Sequence, residues 1–132
     1  MKKLIILSAF IVLFSSNFFS QSKEGISLKR LNAAKTEFYD KEITVSGNLK
    51  IDKYYNWGYD DSENTHYSFE LKDENYNYVH VYFKKNISKE LFDKLIDVDF
   101  LPIKIKAIAY QSKQEQNFGS VLLEGISYEI IK

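Results

Sequence analysis

The sequence contains no cysteine, so it can form no disulfide and cannot carry a lipid on an N-terminal cysteine. Packing alone must therefore hold the fold. There is one proline, Pro102, and one arginine, Arg30, and the 18 basic and 18 acidic side chains leave a formal net charge of zero. Because affinity for nucleic acid depends largely on clustered Lys and Arg, we do not expect nucleic acid to be the partner.

Common catalytic motifs are also absent. The chain has no Gly-x-Ser-x-Gly elbow, no His-Glu-x-x-His pair and no glycine-rich phosphate loop. Acidic residues are numerous, but no spacing places two of them across a cleft. We therefore expect a protein that is not an enzyme and has no cofactor.

The first twenty residues have the order of a secretory signal. Lys2 and Lys3 precede a run over 4–14 that is apolar apart from Ser8, and polar residues follow at 15–17. This run is shorter than the roughly 20 apolar residues of a transmembrane helix. We expect residues 1–20 to be a cleaved signal peptide, with no stable membrane anchor afterwards and export to the periplasm or the extracellular medium. Residues 21–132 have the length of one domain.

Strand patterns dominate the rest of the chain. Over 42–51, Ile43, Val45, Leu49 and Ile51 alternate with polar residues, which predicts a half-buried strand, and Gly47 on the apolar side favours close approach of another strand.

Two further runs, 67–72 and 78–83, predict a hairpin around the turn residues 73–77. In the second run Val79, Val81 and Phe83 face inward, which turns Tyr78, His80 and Tyr82 to the outer face. Two registers remain open for this hairpin. One pairs residue 72 with 76 and the other pairs residue 72 with 78, which sets Glu70 opposite His80.

A helical period follows at 86–96, where Ile87, Leu91 and Leu95 are spaced by four and Ser88 is a predicted N-cap. Extended runs return at 103–110 and 119–131, and a change of apolar parity predicts a bulge at Gly125.

A short helical segment is predicted before the first strand. Ser27 can cap it, and Leu28, Leu31 and Phe38 give it one apolar side. We expect this segment, within residues 21–40, to pack on a domain formed by residues 41–132.

The order of three strands, a helix and two strands resembles the OB-fold, a five-stranded Greek-key barrel. The stretch Phe38-Tyr-Asp-Lys-Glu-Ile-Thr-Val-Ser-Gly47 is similar to the opening of bacterial OB-fold domains of the tRNA anticodon-binding-like group. The resemblance covers about residues 27–131. It implies a mainly β fold, with one helix between strands 3 and 4 and a ligand face across strands 2 and 3. The loops at 52–65 and 111–117 would flank that face.

An aromatic cluster coincides with the implied face. Its rings can stack on sugars or bases, or instead complete a small core, or form a patch for a protein partner. The candidate ligand-binding residues are Tyr54, Tyr55, Trp57, Tyr59, Tyr78, His80 and Tyr82.

Metal binding is a weaker interpretation. His66 and His80 could hold zinc together with Glu70. Their spacing does not establish Glu70 or any other residue as the third ligand, so we expect both histidines to be solvated. The acidic run 60–63 lacks the glycine and ligand spacing of a calcium loop.

The sequence therefore predicts a secreted, non-catalytic OB-fold binding module. We expect its ligand to be an oligosaccharide or another component of the cell envelope, since near-neutral aromatic surfaces suit stacking on uncharged rings. A protein-interaction or structural module of the envelope is the alternative, followed by single-stranded nucleic-acid binding.

Overall fold

The computed structural model describes residues 25–52, 65–112 and 120–131. The predicted signal peptide lies outside these ranges. In chain order the elements are α1 (Leu28–Ala33), a 3-10 turn (Lys35–Glu37), β1 (Glu42–Ile51), β2 (His66–Lys72), β3 (Tyr78–Lys84), α2 (Lys85–Ile96), β4 (Leu101–Gln111) and β5 (Val121–Ile130).

The five strands form a closed barrel in the order β1-β2-β3-β5-β4, and β4 returns to pair with β1. The β3–β5 pair is parallel, and the other pairs are antiparallel. Closure leaves no strand edge along the sheet. The predicted mainly β fold, with its helix between the third and fourth strands, is confirmed.

Strand β1 has the predicted bounds, and its apolar side chains Ile43, Val45 and Leu49 lie in the core. A Cβ at Gly47 would lie 2.8 Å from the carbonyl oxygen of Lys72, which is closer than side chains tolerate. Gly47 therefore allows β2 to approach β1, as the pattern predicted.

Strand β5 contains the predicted bulge. Ala107 pairs with Gly125 whereas Lys106 pairs with Ser127, so Ile126 is an extra residue. A Cβ at Gly125 would overlap the ring of Phe83, which shows that the glycine leaves room for that ring.

The β2–β3 hairpin adopts the second of the two predicted registers. Lys72 pairs with Tyr78 and Glu70 pairs with His80. The register with residue 72 opposite 76 is wrong because Asp73 accepts hydrogen bonds from the backbone N–H groups of Asn75 and Asn77, which extends the turn over residues 73–77.

Helix α2 begins earlier than predicted. Lys84 is its N-cap, and Ser88 is a buried residue of the second turn whose Oγ donates to the carbonyl oxygen of Lys84 at 2.8 Å. Ser88 is therefore not the N-cap. Leu91 and Leu95 face the barrel as the period predicted, whereas Ile87, the first residue of that period, is 45% exposed.

Helix α1 confirms the predicted short helix and its cap. Ser27 Oγ accepts from the backbone N–H of Arg30 at 3.0 Å, and Leu28 and Leu31 are buried in the barrel core. Asn32 Nδ2 also donates to the carbonyl oxygen of Tyr78, which ties α1 to the start of β3.

Across the three described ranges, no helix is both long enough and apolar enough to cross a bilayer.

Candidate ligand-binding face

The outward side of β3 differs from its prediction in one respect. Val79, Val81 and Phe83 point into the core, which places Tyr78, His80 and Tyr82 on the other side of the strand, as the alternation requires. However, only Tyr78 is exposed, at 49%, whereas His80 is 8% and Tyr82 is 0% exposed. The predicted solvent-exposed row is therefore reduced to one ring.

His80 is buried together with a carboxylate. Asp52 follows β1, and its backbone N–H donates to the carbonyl oxygen of Ser68. This bond places Asp52 beside β2, and its Oδ2 lies 2.9 Å from His80 Nδ1. Because a carboxylate accepts, Nδ1 carries the hydrogen, and Ser68 Oγ donates to the same Oδ2 at 3.4 Å. The prediction of a solvated histidine is wrong at this position.

His66 makes a second pair of the same kind. Its Nε2 lies 3.0 and 3.1 Å from the two carboxylate oxygens of Glu124, and the Thr65 hydroxyl lies 2.6 Å from its Nδ1. The side chain of His66 is 12% exposed. This histidine is not solvated either, because β5 brings Glu124 across to it.

The two pairs lie on either side of one row of residues. Ser68 on β2 pairs with Tyr82 on β3, and Tyr82 pairs with Glu124 on β5. The ring of His66 meets Tyr82 edge-on, with the centroids 6.5 Å apart. These residues form a continuous polar layer outside the core cluster. We call it the polar face: Asp52, His66, Ser68, His80, Tyr82 and Glu124.

Tyr78 extends the polar face towards solvent. Its ring packs edge-on against His80, with the centroids 5.7 Å apart, and keeps about half of its surface exposed. It is the predicted site residue that remains available for stacking in the described part of the chain. Tyr54, Tyr55, Trp57 and Tyr59 lie outside the described residues.

Open spaces adjoin both ends of the polar face. A groove of about 800 Å³ runs beside the His66–Glu124 pair, lined by Thr65, Lys84, Asn86 and Tyr110 among others. A smaller pocket of about 240 Å³ lies where Tyr78 and His80 meet α1. A ligand on the polar face would have room at either end.

Another groove, of about 550 Å³, lies on the far side of the barrel over β1 and β4. Lys104 and Lys106 line it, and each pairs with a surface carboxylate, Glu129 or Glu42, at 3.8 or 3.6 Å. These charges already interact with one another and with solvent, so we do not place the site there.

A metal centre is not formed by the described residues. No group of three or more His, Asp or Glu side chains is gathered there in a way that could hold an ion. Each histidine has a carboxylate at one nitrogen, and the two pairs are separate.

Sequence reasoning missed Asp52, Ser68 and Glu124 as members of the polar face. The alternation of apolar and polar residues in β2 placed Ser68 on the outer side. Glu124 could not be placed in this way, because the parallel pairing of β3 with β5 brings it beside Tyr82. That contact joins segments far apart in the chain, and no local period reveals it.

No protein-family model and no curated protein matches the sequence. Among solved structures, the asparaginyl-tRNA synthetase from Pyrococcus horikoshii is similar over 83% of this chain, with 13% identity and a TM-score of 0.58. The chain spans 23% of that synthetase. The OBody AM3L09, a protein bound to hen egg-white lysozyme in its structure, matches 73% of this chain and 86% of its own, with 16% identity and a TM-score of 0.51.

These likenesses have low sequence identity and therefore concern the fold alone. Together with the strand order and the helix between β3 and β4, they show that the chain folds as an OB-fold barrel.

Proposed function

We propose that this protein is a secreted, non-catalytic binding module whose polar face recognises an oligosaccharide or another component of the cell envelope. The observation that carries the proposal is the polar layer itself. Two largely buried carboxylate–histidine pairs lie on either side of the Ser68–Tyr82–Glu124 row, on the side of β2, β3 and β5 that faces away from the apolar core cluster. Burying charged and polar groups costs free energy even when they are paired, so a layer of this kind favours a role in recognition.

The chemistry of the face suits a sugar. Carboxylates and imidazoles orient hydroxyl groups through hydrogen bonds, and the half-exposed ring of Tyr78 provides a flat apolar surface for a pyranose. The zero formal charge of the chain does not favour a phosphate backbone, whose binding requires clustered cations.

The geometry of Ser68 supports a role without catalysis. Here Ser68 Oγ donates to Asp52, and His80 donates to the same carboxylate oxygen. This order differs from that of a Ser–His–Asp triad, in which the imidazole lies between the serine and the carboxylate.

Export is supported by the sequence of residues 1–20, which combines two lysines, a short apolar run and a polar end. Changing Lys2 and Lys3 to glutamate should slow export, while Lys29→Glu, in α1, should not. Mass spectrometry of the exported protein should find an N-terminus near Gln21. Retention of Met1 on a protein confined to the cytoplasm would contradict export.

Binding can be followed through the single tryptophan, Trp57, or by calorimetry. A panel of neutral and acidic glycans, peptidoglycan fragments and oligonucleotides is titrated at low and high salt. We expect a response to neutral glycans that changes little with salt. Binding confined to oligonucleotides and lost at high salt would overturn the proposal in favour of nucleic-acid binding.

A matched pair of variants tests the face. Tyr78→Ala should weaken glycan binding by about tenfold, or roughly 1.4 kcal/mol, because the stacking surface is lost. Tyr76→Ala removes a ring that is 79% exposed in the hairpin turn but does not contact His80, and it should leave affinity unchanged. Equal effects of the two changes would contradict a site at Tyr78.

A second function is favoured by a separate observation. From the last residue of α2 onward, the apolar residues Ile96, Val98 and Phe100 are 61%, 46% and 54% exposed and alternate with Asp97 and Asp99. Exposed apolar side chains of this size in one segment are typical of protein contacts.

Under that alternative, the exposed segment docks on a protein partner. Val98→Ser with Phe100→Ser should then abolish capture of a specific partner from the envelope fraction and leave glycan binding unchanged. Capture that is unaffected by these changes would exclude this segment as the docking site.

A further inference from the structure

The small pocket at the start of β3 has walls from three parts of the chain. Asn32 lies in α1 and Lys35 in the 3-10 turn. Tyr78 and His80 belong to β3, and Ser120 directly precedes β5. Its volume is about 240 Å³, below the roughly 300–1,000 Å³ of pockets for drug-sized ligands. The pocket can therefore hold a single ring rather than a chain of rings. We call it the Lys35 pocket.

The described walls carry polar groups and one cation. Lys35 contributes an ammonium group, Asn32 an amide, Ser120 a hydroxyl and His80 an imidazole. None of the described lining residues is acidic, and no ion pair links Lys35 to another described residue. A half-buried cation with no acidic neighbour among the described lining residues favours a ligand with an anionic group.

The positions of these groups are fixed by contacts outside the pocket. Asp52 holds the His80 ring through Nδ1 at 2.9 Å, and the Tyr78 ring packs edge-on against it. Asn32 Nδ2 bonds the carbonyl oxygen of Tyr78 at 3.0 Å, which holds the first helix against β3. Preorganised walls of this kind lower the ordering cost of binding.

We propose that the Lys35 pocket binds one carboxylate-bearing sugar unit, with its carboxylate towards Lys35 and its ring against Tyr78. This inference rests on the proposed function, because it names the unit of the oligosaccharide that the polar face would recognise at this end. The pocket is continuous with the polar face through His80, which belongs to both. An acidic sugar therefore binds in the pocket, and the neighbouring units lie beyond the exposed ring of Tyr78.

The test uses the 15N-labelled full chain and three small probes, glucuronic acid, glucose and inorganic phosphate, followed by amide chemical shifts. Glucuronic acid should shift the signals of Asn32, Lys35 and Ser120 and bind at least tenfold more tightly than glucose. Phosphate should bind at least tenfold more weakly than glucuronic acid, because it has no ring to contact Tyr78. Equal binding of phosphate and glucuronic acid would overturn the sugar assignment in favour of a general anion site.

Variants at two lysines provide the matched comparison. Lys35→Gln should remove the preference for glucuronic acid over glucose, and Lys35→Arg should restore most of it. Lys29→Gln changes an exposed lysine of the preceding helix α1 that does not line the pocket, and the preference should remain. An unchanged preference in Lys35→Gln would overturn the proposal.

The same spectra separate this inference from the proposed function. Glycan-induced shifts confined to Thr65, His66 and Glu124 would overturn the Lys35 pocket and leave the polar face as the binding site. Shifts by glucuronic acid at Asn32 and Ser120, without binding of any longer glycan, would support the pocket and contradict an oligosaccharide-binding face.

Discussion

The hydrogen bond between Asp52 and His80 predicts a measurable stability change at the scale of single residues. Asp52→Ala removes the acceptor of His80 Nδ1–H and of the Ser68 hydroxyl, both in buried positions. Leaving buried donors without that acceptor costs about 1–3 kcal/mol. Urea unfolding should show this loss in the free energy of unfolding.

Two further measurements test whether the loss of stability in Asp52→Ala comes from this hydrogen bond. Asp97→Ala removes an exposed carboxylate and should change the free energy by less than about 0.5 kcal/mol. A double-mutant cycle of Asp52→Ala with His80→Phe should give a coupling of at least about 0.5 kcal/mol. Strict additivity would show that the two side chains do not stabilise each other.

Gly125 predicts a second residue-scale effect, which arises from crowding. A Cβ placed there would lie 2.2–2.4 Å from atoms of the Phe83 ring. Phe83 is fully buried and packs edge-on against Phe69 and Tyr128, so the ring has little freedom to move. Gly125→Ala should therefore destabilise the barrel by about 1–3 kcal/mol in urea unfolding.

The control for Gly125 lies two residues further along β5. Ser127→Ala changes an exposed side chain of the same strand and should be nearly neutral. A neutral Gly125→Ala would mean that Phe83 can shift at little cost, contrary to its packing.

At the scale of elements, the β2–β3 turn has a predictable pH dependence. Partial burial raises the pKa of Asp73, but hydrogen bonds from the Asn77 side chain and from the backbone N–H groups of Asn77 and Asn75 lower it by more, so the pKa lies below its usual value. A lowered folded-state pKa gives stability that is present above the unfolded value of about 3.9 and is lost as the pH falls through the folded value.

Asn77→Ala tests this turn because it removes the bond from Asn77 Nδ2 to Asp73 Oδ2 at 3.0 Å. The pKa of Asp73, followed by carboxyl NMR, should rise. The stability difference from the unchanged protein should be largest above about pH 5 and shrink below pH 4. Asn75→Ala keeps its backbone bond and should change neither quantity, whereas equal effects of both variants would exclude the Asn77 side chain as the cause.

Element by element, local patterns predicted the strands better than the contacts between them. The alternation in β1 gave its bounds and inward face, and the parity change gave the bulge at Gly125, because each pattern reflects one strand with one buried side. The predicted N-cap of α2, Ser88, was wrong because the Ser88 hydroxyl donates to the carbonyl oxygen of Lys84 instead of accepting from an N–H group at the start of the helix.

The candidate site was less predictable because it depends on which strands become neighbours. Tyr78, His80 and Tyr82 could be placed on one side of β3 from their spacing. The burial of His80 could not be predicted in this way, since Asp52 contacts it from beyond the end of β1. An outward residue is exposed only if nothing packs over it, and a period of two contains no information on that point.

At the scale of the whole molecule, the core joins the N-terminal segment to the barrel. Leu28 and Leu31 belong to the same buried cluster as residues of all five strands and of α2. Unfolding of α1 would expose these leucines and the barrel surface beneath them. We therefore expect α1 and the barrel to unfold as one cooperative unit.

Leu31→Ala tests whether α1 and the barrel unfold together. The leucine is fully buried, and truncation of such residues to alanine costs about 2–5 kcal/mol. The midpoint of urea unfolding should fall, and circular dichroism and tyrosine fluorescence should still give coincident transitions. Lys29→Ala, an exposed neighbour in α1, should leave the midpoint nearly unchanged. A separate early transition in Leu31→Ala, with the barrel transition unchanged, would show that the N-terminal segment unfolds independently of the barrel. Asn32 and Lys35 would then line the pocket only while that segment is packed on the barrel.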